Sequence, residues 1–215
     1  MGENGRVTPT DDETAEPGAA HEPADDHDSA RARAESLPER PRRFGVFVAV
    51  GLLVLILDVV SKILVVANLD ESEQVRTLGG AVWLDLARNS GAAFSLGTGF
   101  TVILSVVALG VVAVIVRTAS RLRSTGWAIA LGLILGGALG NLADRVFRAP
   151  GVFRGRVIDW ISLFGPRGEH WPIFNLADSA IVCGAILAAM LTLFGISITG
   201  DRDGTEDRSP ELPRG

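Results

Sequence analysis

The chain of 215 residues has very few of the side chains on which several common enzyme chemistries depend. Its single cysteine, Cys183, excludes a disulfide framework and a cysteine-rich metal site. Two of the three histidines lie near the N-terminus and His170 stands alone, so the spacing of a zinc-peptidase helix is absent. The Gly-x-Ser-x-Gly pattern of a serine-hydrolase nucleophile is absent as well. We therefore expect neither a metal ion nor an organic cofactor.

Large apolar side chains are scarce at both ends of the chain. Residues 1–43 consist largely of Asp, Glu, Arg, Pro and Ala, and residues 200–215 are similarly polar. Segments of this composition cannot bury enough apolar surface to fold on their own. We predict two disordered cytoplasmic tails that flank a membrane domain at residues 44–199. The net charge of the chain is −5, its negative sign comes from these tails, and it identifies no partner. We expect no nucleic-acid binding.

The body of the chain contains four long apolar runs, each close to the roughly 20 residues that a bilayer span requires. They cover residues 44–68, 100–116, 127–147 and 172–198. Cleavage of the first run as a signal peptide is an alternative, but the run is longer than a usual signal core and contains two charges. Arginines before the first run and between the second and third place both termini in the cytoplasm. The four arginines of the 148–171 loop depart from this rule.

With this orientation, the unusual polar residues of the body fall at the outer face of the membrane. Asp58 and Lys62 lie four residues apart on a helix, so they can form an ion pair. We favour a pair that braces the helices over a proton relay. Asn141, Asp144 and Arg145 share one helix face. Arg145 there either forms a structural salt bridge with Asp144 or offers its donors to a peptide carbonyl.

Two further carboxylates give the most specific indication of chemistry. Asp159 lies among apolar residues on a predicted outer loop, where a solvated carboxylate is the plain alternative. Asp178 lies at the start of the fourth run, one turn after Asn175, which is suited to cap the helix or to bond a neighbouring helix. An ionisable residue inside a membrane helix is costly and usually functional. Two carboxylates at one end of the bilayer suggest an aspartic-peptidase pair, with Asp144 as a third candidate.

Two other functional classes compete with a peptidase. A proton-coupled transporter or channel subunit would also use buried charges, but the chain has neither an inverted repeat nor a pair of broken helices near the midplane. A structural assembly subunit would explain the small residues at 136–140, which predict close helix packing. It would leave the two aspartates without a role.

Five motifs, in order, resemble the lipoprotein signal peptidase family, also called signal peptidase II. They are DVVSK at 58–62, NSGAAF at 89–94, GNLADR at 140–145, VID at 157–159 and FNLADSAI at 174–181. With the four-run topology, the resemblance covers about residues 44–198. It implies an all-α membrane protein of four transmembrane helices, with a small extracytoplasmic β-structure between the first and second, at about residues 69–98.

The resemblance also implies an aspartic endopeptidase of the bacterial cytoplasmic membrane. Such an enzyme removes signal peptides from diacylglyceryl-modified prolipoproteins on the N-terminal side of the lipidated cysteine. The family's catalytic pair falls on Asp159 and Asp178, and which of them starts as the base is left open. The residues that would support the pair or bind substrate are Asn89, Asn141, Asp144, Arg145, Asn175, Asp58 and Lys62. Membrane lipid as a partner and inhibition by the cyclic peptide globomycin are also implied, and we expect a monomer.

Overall fold

The computed structural model describes residues 41–91 and 98–201, with the backbone alone at 98–100. The disordered tails predicted at 1–43 and 200–215 lie almost entirely outside the described residues, as does Phe94 of the second motif. The elements are, in chain order, α1 (Phe44–Asn68), β1 (Gln74–Thr77), β2 (Val82–Asn89), α2 (Thr98–Ala119), α3 (Thr125–Phe147), β3 (Val157–Leu163) and α4 (Leu176–Leu193).

All four helices are long and apolar enough to cross a membrane, which confirms the four predicted spans within the described part of the chain. Many of their large apolar side chains are exposed, as expected for surfaces that face lipid. The fourth helix is shorter than the predicted run at 172–198. Its start is displaced because Phe174 forms a β-bridge with Ile161 of β3, so the chain is still extended there.

The third helix lies at the centre of the bundle and contacts each of the other three. Small residues on two of its faces allow this close approach. Gly132 and Gly136 lie against backbone carbonyl oxygens of α1, where a Cβ atom would come within 2.9 Å and 2.6 Å of them. On α4, Gly184 lies in the same way against the Ala130 carbonyl of α3. The packing predicted from the small residues is therefore present, and it lets the polar ends of α1, α3 and α4 meet.

A three-stranded antiparallel sheet, in the order β1-β2-β3, lies at one end of the bundle. The β-structure predicted between the first two spans supplies only two of the strands. The third, β3, comes from the segment between α3 and α4, which the sequence predicted as a loop. The register of β2 against β3 shifts between Leu84 and Ala87, and Ala87 then pairs with Asp159. Asp159 is thus a strand residue, and the solvated-loop alternative is wrong.

An apolar cluster fastens the sheet to the first helix. Val65 near the end of α1 packs with Leu86 of β2 and the fully buried Ile158 of β3, and Trp160 is partly buried against them. Because side chains alternate along a strand, burying Ile158 and Trp160 on one face of β3 turns Asp159 to the other. The apolar pattern of β3 therefore determines the direction in which its carboxylate points.

Replacing Gly136 with alanine should destabilise the bundle, because the new methyl group would meet the Gly51 carbonyl oxygen at 2.6 Å and the Val54 Cβ at 2.7 Å. Overpacking against backbone that cannot move costs about 1–3 kcal/mol. Thermal unfolding of the purified protein in detergent measures this loss. Gly110→Ala in α2 is the matched control, since its Cβ would have no atom within 4 Å. Equal melting temperatures for the two variants would contradict the proposed packing of α3 against α1.

Candidate active site

Lys62, the only lysine of the chain, lies at the centre of a buried polar cluster. Its ammonium nitrogen is 2.7 Å from Asp58 Oδ2 and 3.0 Å from Asp144 Oδ2, and it donates to Asn141 Oδ1 at 3.0 Å. The side chains of Lys62 and Asp58 have at most 1% of their surface exposed. The Asp58–Lys62 pair predicted from the four-residue spacing is therefore present, and Lys62 also joins α1 to α3.

Asp58 extends the cluster to the fourth helix. Its Oδ1 accepts a hydrogen bond of 3.0 Å from the backbone N–H of Ala177, in the first turn of α4. A carboxylate at a helix N-terminus satisfies a backbone donor that has no partner within the helix, and the helix dipole favours its charge. A side chain at Gly140 of α3 would overlap the Asp58 carboxylate. The glycine therefore makes room for the charge that holds α4 in place.

Asp144 does not form the predicted salt bridge with Arg145. Its carboxylate instead pairs with Lys62 and with Arg148, which lies four residues later on α3. Asp144 Oδ2 also accepts a hydrogen bond of 3.2 Å from the backbone N–H of Ile158. The adjacent Arg145 leaves the helix in a different direction and donates from Nη1 to the Asn141 carbonyl at 3.1 Å. Asp144 thus fastens β3 to α3 immediately before Asp159.

Asn175 connects the two candidate catalytic carboxylates. Its amide nitrogen donates to Asp159 Oδ1 at 2.6 Å, and its backbone N–H donates to Asp178 Oδ2 at 3.2 Å. Asn175 Oδ1 accepts from the backbone N–H of Asp178 at 3.0 Å, which completes a reciprocal capping box at the start of α4. The side chain is fully buried. One residue therefore both begins α4 and sets the positions of the two aspartates.

Asp159 is almost completely buried, with 3% of its surface exposed. Besides Asn175, it accepts a hydrogen bond of 2.9 Å from Asn89 Nδ2 at the end of β2. Burial raises the pKa of Asp159 to about 6, the amide of Asn89 opposes the rise by stabilising the ionised form, and the nearby negative charge of Asp178 adds to it. Asp159 therefore retains its proton at a pH where a solvated aspartate has lost it.

Asp178 is half-buried and belongs to a second branch of the same network. Its Oδ1 accepts a hydrogen bond of 2.7 Å from Asn141 Nδ2, while Asn141 Oδ1 accepts from both Lys62 and Asn175. This pattern fixes the orientation of the Asn141 amide, because its oxygen receives two donors and its nitrogen serves a carboxylate. Arg145 interacts electrostatically with Asp178, Asp159 and Asp144. Its guanidinium makes a single hydrogen bond within the described residues, so further donors are available to a ligand.

The structure brings all nine candidate residues together at one end of the bundle. Three helices and two strands that are far apart in sequence supply them. They are Asp58, Lys62, Asn89, Asn141, Asp144, Arg145, Asp159, Asn175 and Asp178. Within the described residues, no group of His, Cys, Asp and Glu side chains has the arrangement of a metal site. Two neighbouring carboxyl groups, one with a raised pKa, form an arrangement suited to general acid–base chemistry.

Two contributors to the site were not identified from the sequence. Arg148 pairs with Asp144, and the four-residue spacing between them was the signal available for this pair. The backbone N–H of Ile158 also holds Asp144, but this contact depends on the position of β3 and leaves no mark in the sequence. Adjacent residues on a helix point in different directions, which is why Arg145 was the wrong partner.

Comparison with known proteins gives one consistent result. Residues 50–194 match the family described as signal peptidase (SPase) II. The lipoprotein signal peptidase of Rhodococcus jostii is 48% identical over 91% of this chain and 96% of its own length. That of Streptomyces coelicolor is 52% identical over 78% of this chain and 79% of its own length. A solved bacterial membrane enzyme superposes with a TM-score of 0.63 at 25% identity, covering 73% of this chain and 98% of that one.

A double-mutant cycle should show that Asp144 is coupled to Arg148 more strongly than to Arg145. Removing one member of a partly buried ion pair leaves the other charge without compensation. The double variant should therefore lose less unfolding free energy than the sum of the two single losses. We expect a coupling energy of about 0.5–3 kcal/mol between Asp144→Asn and Arg148→Ala, from thermal unfolding. The cycle with Arg145→Ala is the matched comparison. Equal or larger coupling in that cycle would contradict the observed pairing.

Proposed function

The chain belongs to the signal peptidase II family, and on that premise we propose that it is a membrane-embedded aspartic endopeptidase. Its substrates are diacylglyceryl-modified prolipoproteins, from which it removes the signal peptide on the N-terminal side of the lipidated cysteine. Asp159 and Asp178 are the catalytic pair. The observation that carries this proposal is the bridge through Asn175, which binds Asp159 through its side chain and Asp178 through its backbone.

The two aspartates have different roles because their surroundings differ. An aspartic-type mechanism needs one protonated and one ionised carboxyl group. Burial and the neighbouring negative charge favour the proton on Asp159. Asp178 is then the ionised member, with the amide of Asn141 and the backbone N–H of Asn175 as donors to its two oxygens. Asp178 accordingly starts as the general base.

The reaction proceeds by attack of water on the peptide carbonyl before the lipidated cysteine. The water oxygen bonds to the carbonyl carbon while Asp178 takes a proton from that water. Asp159 donates its proton to the carbonyl oxygen. The tetrahedral intermediate then collapses: the carbon–nitrogen bond breaks, the proton held by Asp178 passes to the leaving nitrogen, and Asp159 regains its proton from the gem-diol. Products are the signal peptide carboxyl group and the free amine of the lipidated cysteine.

The membrane positions the substrate for this chemistry. Both termini are cytoplasmic and the site lies at the outer face, a topology supported by arginines at the opposite end of the bundle, where Arg43 N–H donates to the Leu122 carbonyl at 2.9 Å. The diacylglyceryl chains of the substrate keep the scissile bond at the membrane interface. Such positioning replaces a diffusional search with a fixed orientation of the reacting groups.

The remaining roles follow from the same network. Asn89 and Arg145 hold the substrate backbone, since Asn89 is exposed and Arg145 has unused donors. The catalytic pair is held in position by the buried cluster of Asp58, Lys62, Asp144 and Asn141. The active domain is residues 44–199, it acts as a monomer, and it is inhibited by globomycin.

Asp159→Asn and Asp178→Asn should each reduce cleavage by at least about a thousandfold, because a carboxamide cannot give up or take up the catalytic proton. The assay is release of the signal peptide from a diacylglyceryl prolipopeptide by purified protein in detergent. Asp70→Asn is the control of identical chemistry, since Asp70 is exposed and its carboxylate bonds to the neighbouring Glu71 and Ser72, away from the site. Full turnover by either site variant with normal thermal stability would remove that residue from the pair.

The pH dependence of cleavage should identify the proton-carrying aspartate. Because the active form has Asp159 protonated, kcat/KM should fall as the pH rises through the apparent pKa of about 6. Asn89→Ala removes a hydrogen bond that stabilises ionised Asp159, so the pKa of Asp159 should rise. The fall of kcat/KM with pH, the alkaline limb of the profile, should therefore move to higher pH in this variant.

The displacement of the limb is the decisive readout for Asn89, because a lost substrate contact lowers kcat/KM equally at every pH. Ser72→Ala, in the neighbouring segment before β1, is the control and should leave the limb unmoved. A limb that moves to lower pH in Asn89→Ala, or stays in place, would show that Asp159 does not carry the proton.

A further inference from the structure

Arginines at the catalytic end of the bundle are an exception that the proposed reaction does not explain. Segments that cross to the outer face usually contain few Lys and Arg residues, yet the segment between α3 and α4 contains four arginines. Two of them, Arg148 and Arg156, line one cavity of about 550 Å³ together with Arg88 of β2. Ala149 and Pro150 also line it. Residues from separate parts of the chain therefore converge on one basic cavity.

The three guanidinium groups are balanced only in part by acidic side chains. Arg88 Nε lies 2.7 Å from Glu71 Oε1 in an exposed pair, and Arg148 pairs with Asp144, which Lys62 also neutralises. The side chain of Arg156 is exposed and makes no hydrogen bond or ion pair within the described residues, although its backbone N–H bonds to Ala149. The cavity consequently has an excess of positive charge and an uncommitted planar donor.

Large apolar side chains accompany the arginines in sequence. Phe147, which precedes Arg148, has 86% of its surface exposed, and Val152 has 64%. Phe153 is also exposed. Water is a poor environment for these side chains, whereas acyl chains at the membrane interface would cover them. A ligand that joins an anionic group to acyl chains would match both features.

We propose that this cavity binds the phosphate group of an anionic phospholipid, with Arg88, Arg148 and Arg156 around the phosphate and the acyl chains beside Phe147 and Val152. A guanidinium group suits phosphate because it can donate two parallel hydrogen bonds and remains charged at every accessible pH. The leaflet concerned is the outer one, which rests on the orientation given under the proposed function. The site is separate from the catalytic carboxylates, and the enzyme binds this lipid in addition to its substrate.

Native mass spectrometry of the full-length protein, released from micelles that contain equal amounts of phosphatidylglycerol and phosphatidylcholine, tests this site. The wild-type protein should retain phosphatidylglycerol preferentially. Arg156→Gln should weaken that retention roughly two- to fivefold, the range expected for an exposed ion pair. Arg154→Gln is the matched control, because Arg154 is exposed in the same segment but does not line the cavity.

Each outcome decides between the site and its alternatives. Weaker retention of phosphatidylglycerol in Arg156→Gln but not in Arg154→Gln supports a defined site. Equal losses of retention in the two variants would show a diffuse electrostatic attraction between the lipid and the segment, and would overturn the site. Unchanged retention in Arg156→Gln would by itself overturn the lipid site. Slower cleavage by that variant of a substrate with an acidic residue after its cysteine would then assign the arginines to peptide recognition. Because retention is measured without turnover, the result does not depend on whether the chain cleaves prolipoproteins.

Discussion

A single buried ammonium group governs the arrangement of the whole site. Lys62 has almost no contact with solvent, so its charge requires compensation from groups that the fold places around it. Asp58, Asp144 and Asn141 meet this requirement within 3.0 Å. Each of these partners has a second attachment, Asp58 to α4, Asp144 to β3 and Asn141 to Asp178. The contacts that compensate this one charge thereby fix α3, β3 and α4 relative to α1.

The candidate catalytic pair rests on this framework. Because Asp144 holds the backbone of Ile158, and Ile158 is buried against Val65 and Leu86, the neighbouring Asp159 has little freedom to move. Asn175 then links it to α4 through one short hydrogen bond. Preorganised groups of this kind favour catalysis, since they need no rearrangement when charge develops on the substrate. The buried charges around Lys62 hold the elements together, and Asp159 and Asp178 are left for the proposed chemistry.

Local patterns in the sequence predicted the parts of the site that depend on helical spacing. The Asp58–Lys62 pair and the position of Asn175 at the start of a helix follow from separations of four and three residues. Contacts between distant elements could not be predicted in this way. The bond from Lys62 to Asn141 spans 79 residues, and β3 joins the sheet only because its apolar face meets α1 and β2. The partner of Asp144 is an exception among the local contacts, because the adjacent Arg145 points in another direction and Arg148, one turn away, forms the ion pair.

The proposed reaction requires a substrate carbonyl to be held between Asp159 and Asp178. A structure of the protein with a lipopeptide that has a hydroxyl-bearing tetrahedral carbon in place of the scissile carbonyl tests it most directly. We predict that this hydroxyl lies within hydrogen-bonding distance of one carboxyl oxygen of each aspartate, with Asn175 still bonded to Asp159. A hydroxyl that contacts only one of the two aspartates, or lies elsewhere in the bundle, would show that Asp159 and Asp178 do not act as a pair.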